Sequence, residues 1–288
     1  MRFADCARGT FTVTDGAWGT ELLQLGAQPA ECIDAWNLTN PGLVRKVAES
    51  YVEAGSRVIL TNTFRANPAS LAQYQLLEKC GDINRAGVRI SREAAGGRAL
   101  VFASIGPSGA KLAAGDVTPA QLHSAFSHQA HALASEGPDA LLIETMIDLE
   151  EARIAARAAL ATGLPVIVSF VFGSGQGRNR TLTGATAEDV AAAMAHEGVH
   201  GIGTNCGTGI RETIAVCRRL AHACELPIWV KPNAGLPELF DGALKYGITP
   251  HEFAQAAQRF REAGATFLGG CCGTTPDFIR ALVRSLRP

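Results

Sequence analysis

The sequence predicts an α/β fold in which eight parallel strands close into a (β/α)8 barrel, the TIM barrel, as a single domain over residues 1–288. Apolar runs alternate with helical patterns along the whole chain. The runs are apolar without interruption, as in parallel strands that are buried on both faces. A chain of 288 residues that is 47% hydrophobic suits one barrel of this kind. The alternative is an open doubly wound sheet.

We predict the eight strands at residues 11–16, 57–64, 99–106, 140–145, 165–172, 201–206, 227–235 and 266–273. The clearest helical patterns cover residues 41–55, 118–137, 148–163, 186–198, 249–264 and 275–286. Several of them begin with Thr or Asp and end at Gly, as helices prefer. The polar, glycine-rich segment 173–184 is expected to be an exposed loop, either a flap over the site or a plain surface loop.

Composition and charge exclude several classes of function. The formal net charge of −1 gives no indication of binding to nucleic acid or to an anionic membrane. The sequence has no stretch of eighteen unbroken apolar residues, so no membrane span is predicted. The opening MRFADCARGT lacks the apolar segment of a signal peptide. With eight cysteines, we therefore expect a cytoplasmic protein whose thiols are metal ligands, catalytic groups or core residues rather than disulfides.

Three cysteines stand at the ends of predicted strands. Cys206 ends the sixth strand, and Cys271 and Cys272 stand at the end of the eighth in the run GGCCGT. The carboxyl ends of barrel strands meet at one face, where three thiolates can bind zinc and leave its fourth position open. Asn233 ends the seventh strand, between them. The other cysteines are interpreted as core residues: Cys6, Cys32, Cys80, Cys217 and Cys224.

Two acidic residues are predicted at the same face of the barrel. Glu144 closes the apolar run ALLIET, where an unpaired charge would be costly, so it requires a cation or a hydrogen-bond donor. A substrate ammonium or a nearby Arg would serve. Asp15 precedes Gly16 and either shapes a turn or binds substrate. The histidines lie mostly in helical patterns and are interpreted as surface or packing residues.

Seven segments together resemble the homocysteine S-methyltransferase family, over nearly the whole chain. These are DGAWGTEL (15–22), TNTFRAN (61–67), SIGPSG (104–109), IETMIDLEEA (143–152), TNCGTG (204–209), KPNAGLP (231–237) and GGCCGTTP (269–276). KPNAGLP and GGCCGTTP look most like the first module of cobalamin-dependent methionine synthase.

The resemblance implies a zinc ion bound by Cys206, Cys271 and Cys272. Asn233 matches an asparagine that is a provisional fourth ligand, displaced by substrate. The reaction implied is methyl transfer to the thiolate of L-homocysteine, giving L-methionine. Zinc coordination deprotonates a thiol, so no catalytic residue is expected beyond the zinc site.

The resemblance also implies how homocysteine is held. Asp15 and Glu144 would bind its ammonium group, and the backbone at Gly16 and Ala17 would bind its carboxylate. We include Asn205, next to the metal site, among the expected substrate-binding residues.

The methyl donor is the part that the resemblance leaves open. Because the sequence contains no segment similar to a folate, corrinoid or activation domain, we expect a small sulfonium donor such as S-methylmethionine or S-adenosylmethionine. The alternative is a homocysteine-activating component that takes methyl from a separate corrinoid protein. Betaine is least favoured, since few aromatic residues are available to enclose a quaternary ammonium. A zinc hydrolase or aldolase is a remote alternative.

Overall fold

The computed structural model describes residues 2–7, 11–110, 112–240 and 243–286. Its main sheet has eight strands, and a separate antiparallel hairpin follows the seventh of them. The strands in chain order are β1 (Thr12–Val13), β2 (Val58–Ile59), β3 (Leu100–Ile105), β4 (Ala140–Met146), β5 (Val166–Phe170), β6 (Gly201–Cys206), β7 (Ile228–Pro232), the hairpin strands β8 (Pro237–Phe240) and β9 (Ala243–Tyr246), and β10 (Phe267–Leu268).

The eight strands form a ring. Their order is β1-β10-β7-β6-β5-β4-β3-β2, and the pairs within this sheet are parallel. A parallel bridge between Thr14 and Val58 joins β1 to β2 and so connects the two ends of the order. The predicted (β/α)8 barrel is confirmed, and the open doubly wound sheet is wrong.

Several strands are shorter than the sequence predicts. The first, second and eighth barrel strands have two residues each. The Leu60 amide, for example, donates to the carboxylate of Asp15 (2.7 Å) instead of continuing β2. The antiparallel hairpin β8–β9 was not predicted from the sequence.

Helices surround the barrel, and several begin directly after the Thr or Asp that was predicted to cap them. Thr118, Thr186 and Thr249 each form a capping box, and the Asp148 side chain caps another helix. The predicted helix at 249–264 divides into two at Ala256. The helices are α1 (Phe3–Ala7), α2 (Trp18–Gln24), α3 (Trp36–Thr39), α4 (Pro41–Ala54), α5 (Pro68–Ala72), α6 (Cys80–Ala95), α7 (Pro119–Ala134), α8 (Leu149–Leu160), α9 (Ala187–Glu197), α10 (Ile210–Ala223), α11 (Pro250–Gln255), α12 (Ala257–Glu262) and α13 (Pro276–Ser285). None of those in the described part of the chain has the length and apolarity needed to cross a membrane.

Aromatic side chains fill the inside of the barrel. The rings of Phe102, Trp229 and Phe267 contact one another with centroids 5.5–6.0 Å apart. Phe3 of α1 packs on Phe102 at 5.9 Å and lies edge-on to His200, just before β6. This packing fills the part of the barrel near the start of the strands, opposite the carboxyl ends at which sites form in such barrels.

Glu197 joins α9 to α8 through two arginines. Its carboxylate, 6% exposed, accepts hydrogen bonds from Arg153 Nε (2.8 Å) and Arg157 Nε (2.7 Å). The bonds from Arg157 and Arg153 lower the pKa of Glu197 to about 2. Since an unfolded glutamate titrates at about 4.3, ionised Glu197 stabilises the fold above that pH, and the contribution is lost as pH falls toward 2.

We therefore expect Glu197→Gln to lower the free energy of unfolding at pH 7 by about 1–2 kcal/mol, because it breaks charge-assisted hydrogen bonds. The deficit should shrink between pH 4 and pH 2. Urea denaturation across this range checks the result. Glu150→Gln is the control: it also pairs with Arg153 but is 64% exposed, so the expected loss is below about 0.5 kcal/mol. A deficit independent of pH would contradict the assignment.

Candidate functional site

Three thiols lie together at the carboxyl ends of the barrel strands. The sulfurs of Cys206 and Cys271 are 3.0 Å apart, those of Cys271 and Cys272 are 4.0 Å apart, and all three lie within 4.8 Å of one another. As predicted, β6 and β10 are separated only by β7. The described residues include no other group of three His, Cys, Asp or Glu side chains placed to share a metal ion.

The backbone around these thiols allows their close approach. Cys206 has a φ of +58°, a left-handed conformation that is uncommon for a residue with a side chain and turns the chain out of β6. The Cys271 amide donates to the Pro232 carbonyl (2.8 Å) and so ties the pair to β7. A Cβ atom at Gly269 would lie 2.0 Å from Thr14 Oγ1, so only glycine lets the run before the cysteines pass this close to β1.

The thiols influence one another's ionisation. Hydrogen bonds with Cys271 and Cys272, together with burial, raise the pKa of Cys206. The bond with Cys206 lowers the pKa of Cys271, but the contact with Cys272 and burial outweigh it and raise that pKa. Bonds from its two neighbours lower the pKa of Cys272. One thiol of the cluster therefore ionises readily, and the other two resist ionisation. A bound cation would compensate the negative charge of further thiolates.

The cluster fits a tetrahedral metal ion. Two sulfurs bound to zinc at about 2.3 Å lie about 3.8 Å apart, within the spread of the observed separations. Asn233 is buried, and its Nδ2 donates to the Gly207 carbonyl (3.2 Å). Its Oδ1 has no hydrogen-bond partner among the described residues, although a buried oxygen normally has one. An unpaired amide oxygen at the end of β7, between β6 and β10, is a suitable fourth ligand for a metal ion.

Glu144 lies at an irregularity in β4. The pairing with β5 shifts register between Ile143 and Met146, and Thr145 has a φ of +65°. Because the bulge breaks the alternation of side chains, Glu144 and Thr145 both line the same cavity as the thiols. Burial raises the pKa of Glu144 to about 7, against the lowering effect of Lys231. Its Oε1 accepts from Ser104 Oγ at 2.5 Å, and no Arg pairs with it within the described ranges.

Asn205 holds the ends of β4, β5 and β6 together. Its Oδ1 accepts from the Thr145 amide (2.9 Å) and from Ser169 Oγ (2.7 Å). Its Nδ2 donates to Thr145 Oγ1 (2.8 Å) and lies 3.4 Å from Cys206 Sγ. The side chain is wholly buried, and these contacts fix both left-handed residues next to the cavity. Direct contact between Asn205 and substrate remains a prediction.

Asp15 is fully engaged by groups of the chain itself. Its Oδ1 lies 2.5 Å from Lys231 Nζ, while its Oδ2 accepts from the Leu60 amide and from Trp18 Nε1, both at 2.7 Å. Lys231 was not predicted as a site residue, although a lysine in the apolar run PIWVKPNAG needs a charged or polar partner for the same reason as Glu144 does. Burial would lower the pKa of Lys231, but the carboxylates of Asp15 and Glu144 outweigh it and raise that pKa.

A cavity of about 440 Å³ lies beside these groups, although Asp15, Asn205 and Asn233 are not among its lining residues. The predicted residues Gly16, Ala17, Glu144, Cys206 and both cysteines of the pair line it. The Ala17 amide already donates to the Thr274 carbonyl (3.0 Å), so it is less available to a substrate carboxylate than predicted. No residue of the loop 173–184 lines this cavity, so the loop lies outside the site in this structure.

The outer part of the cavity is formed by residues that the sequence analysis did not identify. Asp34 is 4% exposed, accepts from the Arg65 amide (2.9 Å) and has a pKa raised to about 6 by burial. Glu31 accepts from Trp36 Nε1 at 3.0 Å. Glu31, Asp34, Phe64 and Arg65 thus line the same cavity as the thiols.

Fold and site define a class of protein: a (β/α)8 barrel with a three-cysteine centre and a buried carboxyl at the carboxyl ends of its strands. Comparison with known proteins identifies the family. The family model described as Homocysteine S-methyltransferase matches residues 12–286. The chain therefore belongs to the homocysteine S-methyltransferase family, and the resemblance found in the sequence is confirmed.

Individual relatives agree with this assignment. Methionine synthase of Mycobacterium leprae is 32% identical over 295 residues, and that of Mycobacterium tuberculosis is 30% identical over 290. Each match covers 95% of this chain, which spans only 24% of those proteins. The metallated form of the homocysteine methyltransferase MmuM from Escherichia coli superposes with a TM-score of 0.80, at 27% identity and 96% coverage of both chains.

Proposed function

We propose that this protein transfers a methyl group from a small sulfonium donor to the sulfur of L-homocysteine, giving L-methionine, at a zinc ion held by Cys206, Cys271 and Cys272. The observation that carries the proposal is the group of three sulfurs within 4.8 Å of one another, in a cavity that also contains the buried carboxyl of Glu144. The family assignment and the similarity to MmuM support the same activity.

The three thiolates would hold zinc and leave one position for the acceptor sulfur, which Asn233 Oδ1 would take in the absence of substrate. When bound, zinc supplies the positive charge that lets an alkyl thiol ionise near neutral pH. The three cysteines are partly buried, and backbone hydrogen bonds tie Cys271 and Cys272 to the end of β7. Methyl transfer then needs alignment of donor and acceptor rather than a general base.

Glu144 is the residue we propose for the acceptor's ammonium group. It is 8% exposed, and its one observed hydrogen bond leaves capacity for a second donor. Asp15 would act beside it, but its oxygens already accept from three groups of the chain. We retain Gly16 and Ala17 as the backbone facing the carboxylate and Asn205 as a neighbouring contact. A buried carboxylate that gains an ammonium partner binds it strongly.

The donor would occupy the outer cavity. A sulfonium amino acid carries two positive groups and one negative group, and Glu31, Asp34 and Arg65 offer the complementary charges there. The corrinoid alternative remains the second candidate, favoured by one observation: the chain matches only about a quarter of each methionine synthase. We propose a cytoplasmic location, as expected from the sequence.

The experiment that tests the function is direct. Zinc-loaded protein is incubated with homocysteine and, separately, with S-methylmethionine, S-adenosylmethionine, betaine or methylcobalamin, and methionine is quantified by mass spectrometry. Methionine formation with one sulfonium donor, and none with betaine, is the expected result. Binding of homocysteine without turnover by any small donor would favour the corrinoid alternative, and absence of both would contradict the proposal.

A further inference from the structure

A buried ammonium group lies at the inner end of the cavity, and the proposed reaction gives it no role. The Lys231 side chain is 3% exposed, and its Nζ lies 2.5 Å from Asp15 Oδ1 and 3.5 Å from the Gly16 carbonyl oxygen. It also lies over the Trp229 ring, 5.8 Å from its centre. Lysines are rarely buried to this extent, because removing the charge from water is costly.

The ion pair between Lys231 and Asp15 leaves Asp15 and Glu144 with different capacities to bind a substrate ammonium group. Lys231 and two further donors occupy Asp15, so this carboxylate is neutralised within the chain. Among the described residues, Ser104 is the one hydrogen-bond partner of Glu144. Beside the three thiols, the ammonium of Lys231 is paired with Asp15, and the carboxyl of Glu144 has no cation of its own among the same residues. This matches a substrate that brings one ammonium group.

The substrate's carboxylate then requires a positive partner. The Ala17 amide donates to Thr274, which removes one of the expected backbone donors. A lysine ammonium has three protons, and two of them are accounted for by Asp15 and Gly16. Lys231 lines the cavity that also contains Glu144 and the three sulfurs.

We propose that Lys231 is a specificity-determining residue that binds the α-carboxylate of the acceptor amino acid, while Glu144 binds its ammonium group. The inference rests on the proposed function, because it concerns how the ammonium and carboxylate groups of the same acceptor amino acid are bound. Three groups of the protein would then contact three parts of the acceptor amino acid. The cysteines bind its thiol, Glu144 its ammonium group and Lys231 its carboxylate. Asp15 holds the Lys231 ammonium in place and is a positioning residue.

Two analogues of homocysteine separate these contacts. Aminopropanethiol lacks the carboxylate, and mercaptobutanoate lacks the ammonium group. Binding of all three ligands to zinc-loaded protein is measured by calorimetry, which does not depend on turnover. Since a hydrogen bond to a charged group contributes about 1.5–3 kcal/mol, the wild-type protein should bind homocysteine about 10–100-fold more tightly than aminopropanethiol.

Lys231→Met should remove this preference by weakening homocysteine binding and leaving aminopropanethiol binding almost unchanged. Because the substitution leaves Asp15 buried without its cation, the variant can fail to fold. The double variant Asp15→Asn with Lys231→Met removes both charges together and gives a second measurement of the same preference. Lys231→Arg retains the charge and should keep part of the preference.

The outcomes distinguish this inference from the function on which it rests. If the folded double variant still prefers homocysteine over aminopropanethiol as strongly as the wild type does, the proposed role of Lys231 is wrong. Its ion pair with Asp15 would then be purely structural. Homocysteine binding that is absent from the wild-type protein would overturn the proposed function, and the inference with it. Loss of the preference together with intact zinc would support both.

Discussion

Cys271→Ser is expected to abolish tight zinc binding and methyl transfer. Its sulfur is 3.0 Å from that of Cys206 and 4.0 Å from that of Cys272, so its removal breaks both of these contacts. A serine hydroxyl is not ionised at neutral pH and does not replace a thiolate ligand. We expect zinc affinity to fall by more than about 100-fold, beyond the loss typical of changes to residues around a metal site. Zinc retained after dialysis against a chelator is measured by mass spectrometry.

Cys224→Ser is the matched control. Cys224 is partly buried, as Cys271 is, but lies at the end of α10 with its sulfur 3.6 Å from the Leu220 carbonyl oxygen. It should keep full zinc and full turnover. Circular dichroism of both variants tests whether the fold is intact. One zinc ion per chain in a folded Cys271→Ser protein would show that the metal is bound elsewhere.

The barrel was predictable because it follows from patterns within short segments. Uninterrupted apolar runs and capped helices indicate buried parallel strands with crossover helices, and ring closure follows from their number. The three cysteines were predictable for a related reason. Each stands at the end of a predicted strand, and the carboxyl ends of parallel strands meet at one face. Cys206, Cys271 and Cys272 therefore had to lie near one another once the barrel was assumed.

The contacts within the site were less predictable, since they join residues that are distant in the chain. The ion pair between Asp15 and Lys231 spans 216 positions, and no local pattern selects that partner from the other charged residues. The position of Glu144 depends on a bulge, and Thr145, a β-branched residue, gives no indication of a left-handed conformation. Tertiary contacts with Asn205 impose that conformation.

The second large effect is expected from Glu144→Gln. An amide does not carry the charge that attracts an ammonium group, so homocysteine affinity should fall by about 10–100-fold. Zinc should remain, because Glu144 is not among the three thiol ligands. Mercaptobutanoate, which has no ammonium group, should bind the variant as well as it binds the wild-type protein. Calorimetry with both ligands measures the two effects, and unchanged homocysteine affinity would remove the ammonium role from Glu144.

The same substitution should stabilise the metal-free protein, and this separates a binding defect from a folding defect. Burial raises the pKa of Glu144 to about 7, whereas an unfolded glutamate titrates at about 4.3. The ionised form therefore costs stability, from nothing below about pH 4.3 to its full amount above pH 7. We expect Glu144→Gln to raise the free energy of unfolding by about 1–3 kcal/mol at pH 8 and to leave it unchanged at pH 4. Urea denaturation with reductant and chelator measures it. A variant that is more stable yet binds homocysteine poorly would show that this buried carboxyl is kept for the substrate at a cost to the fold.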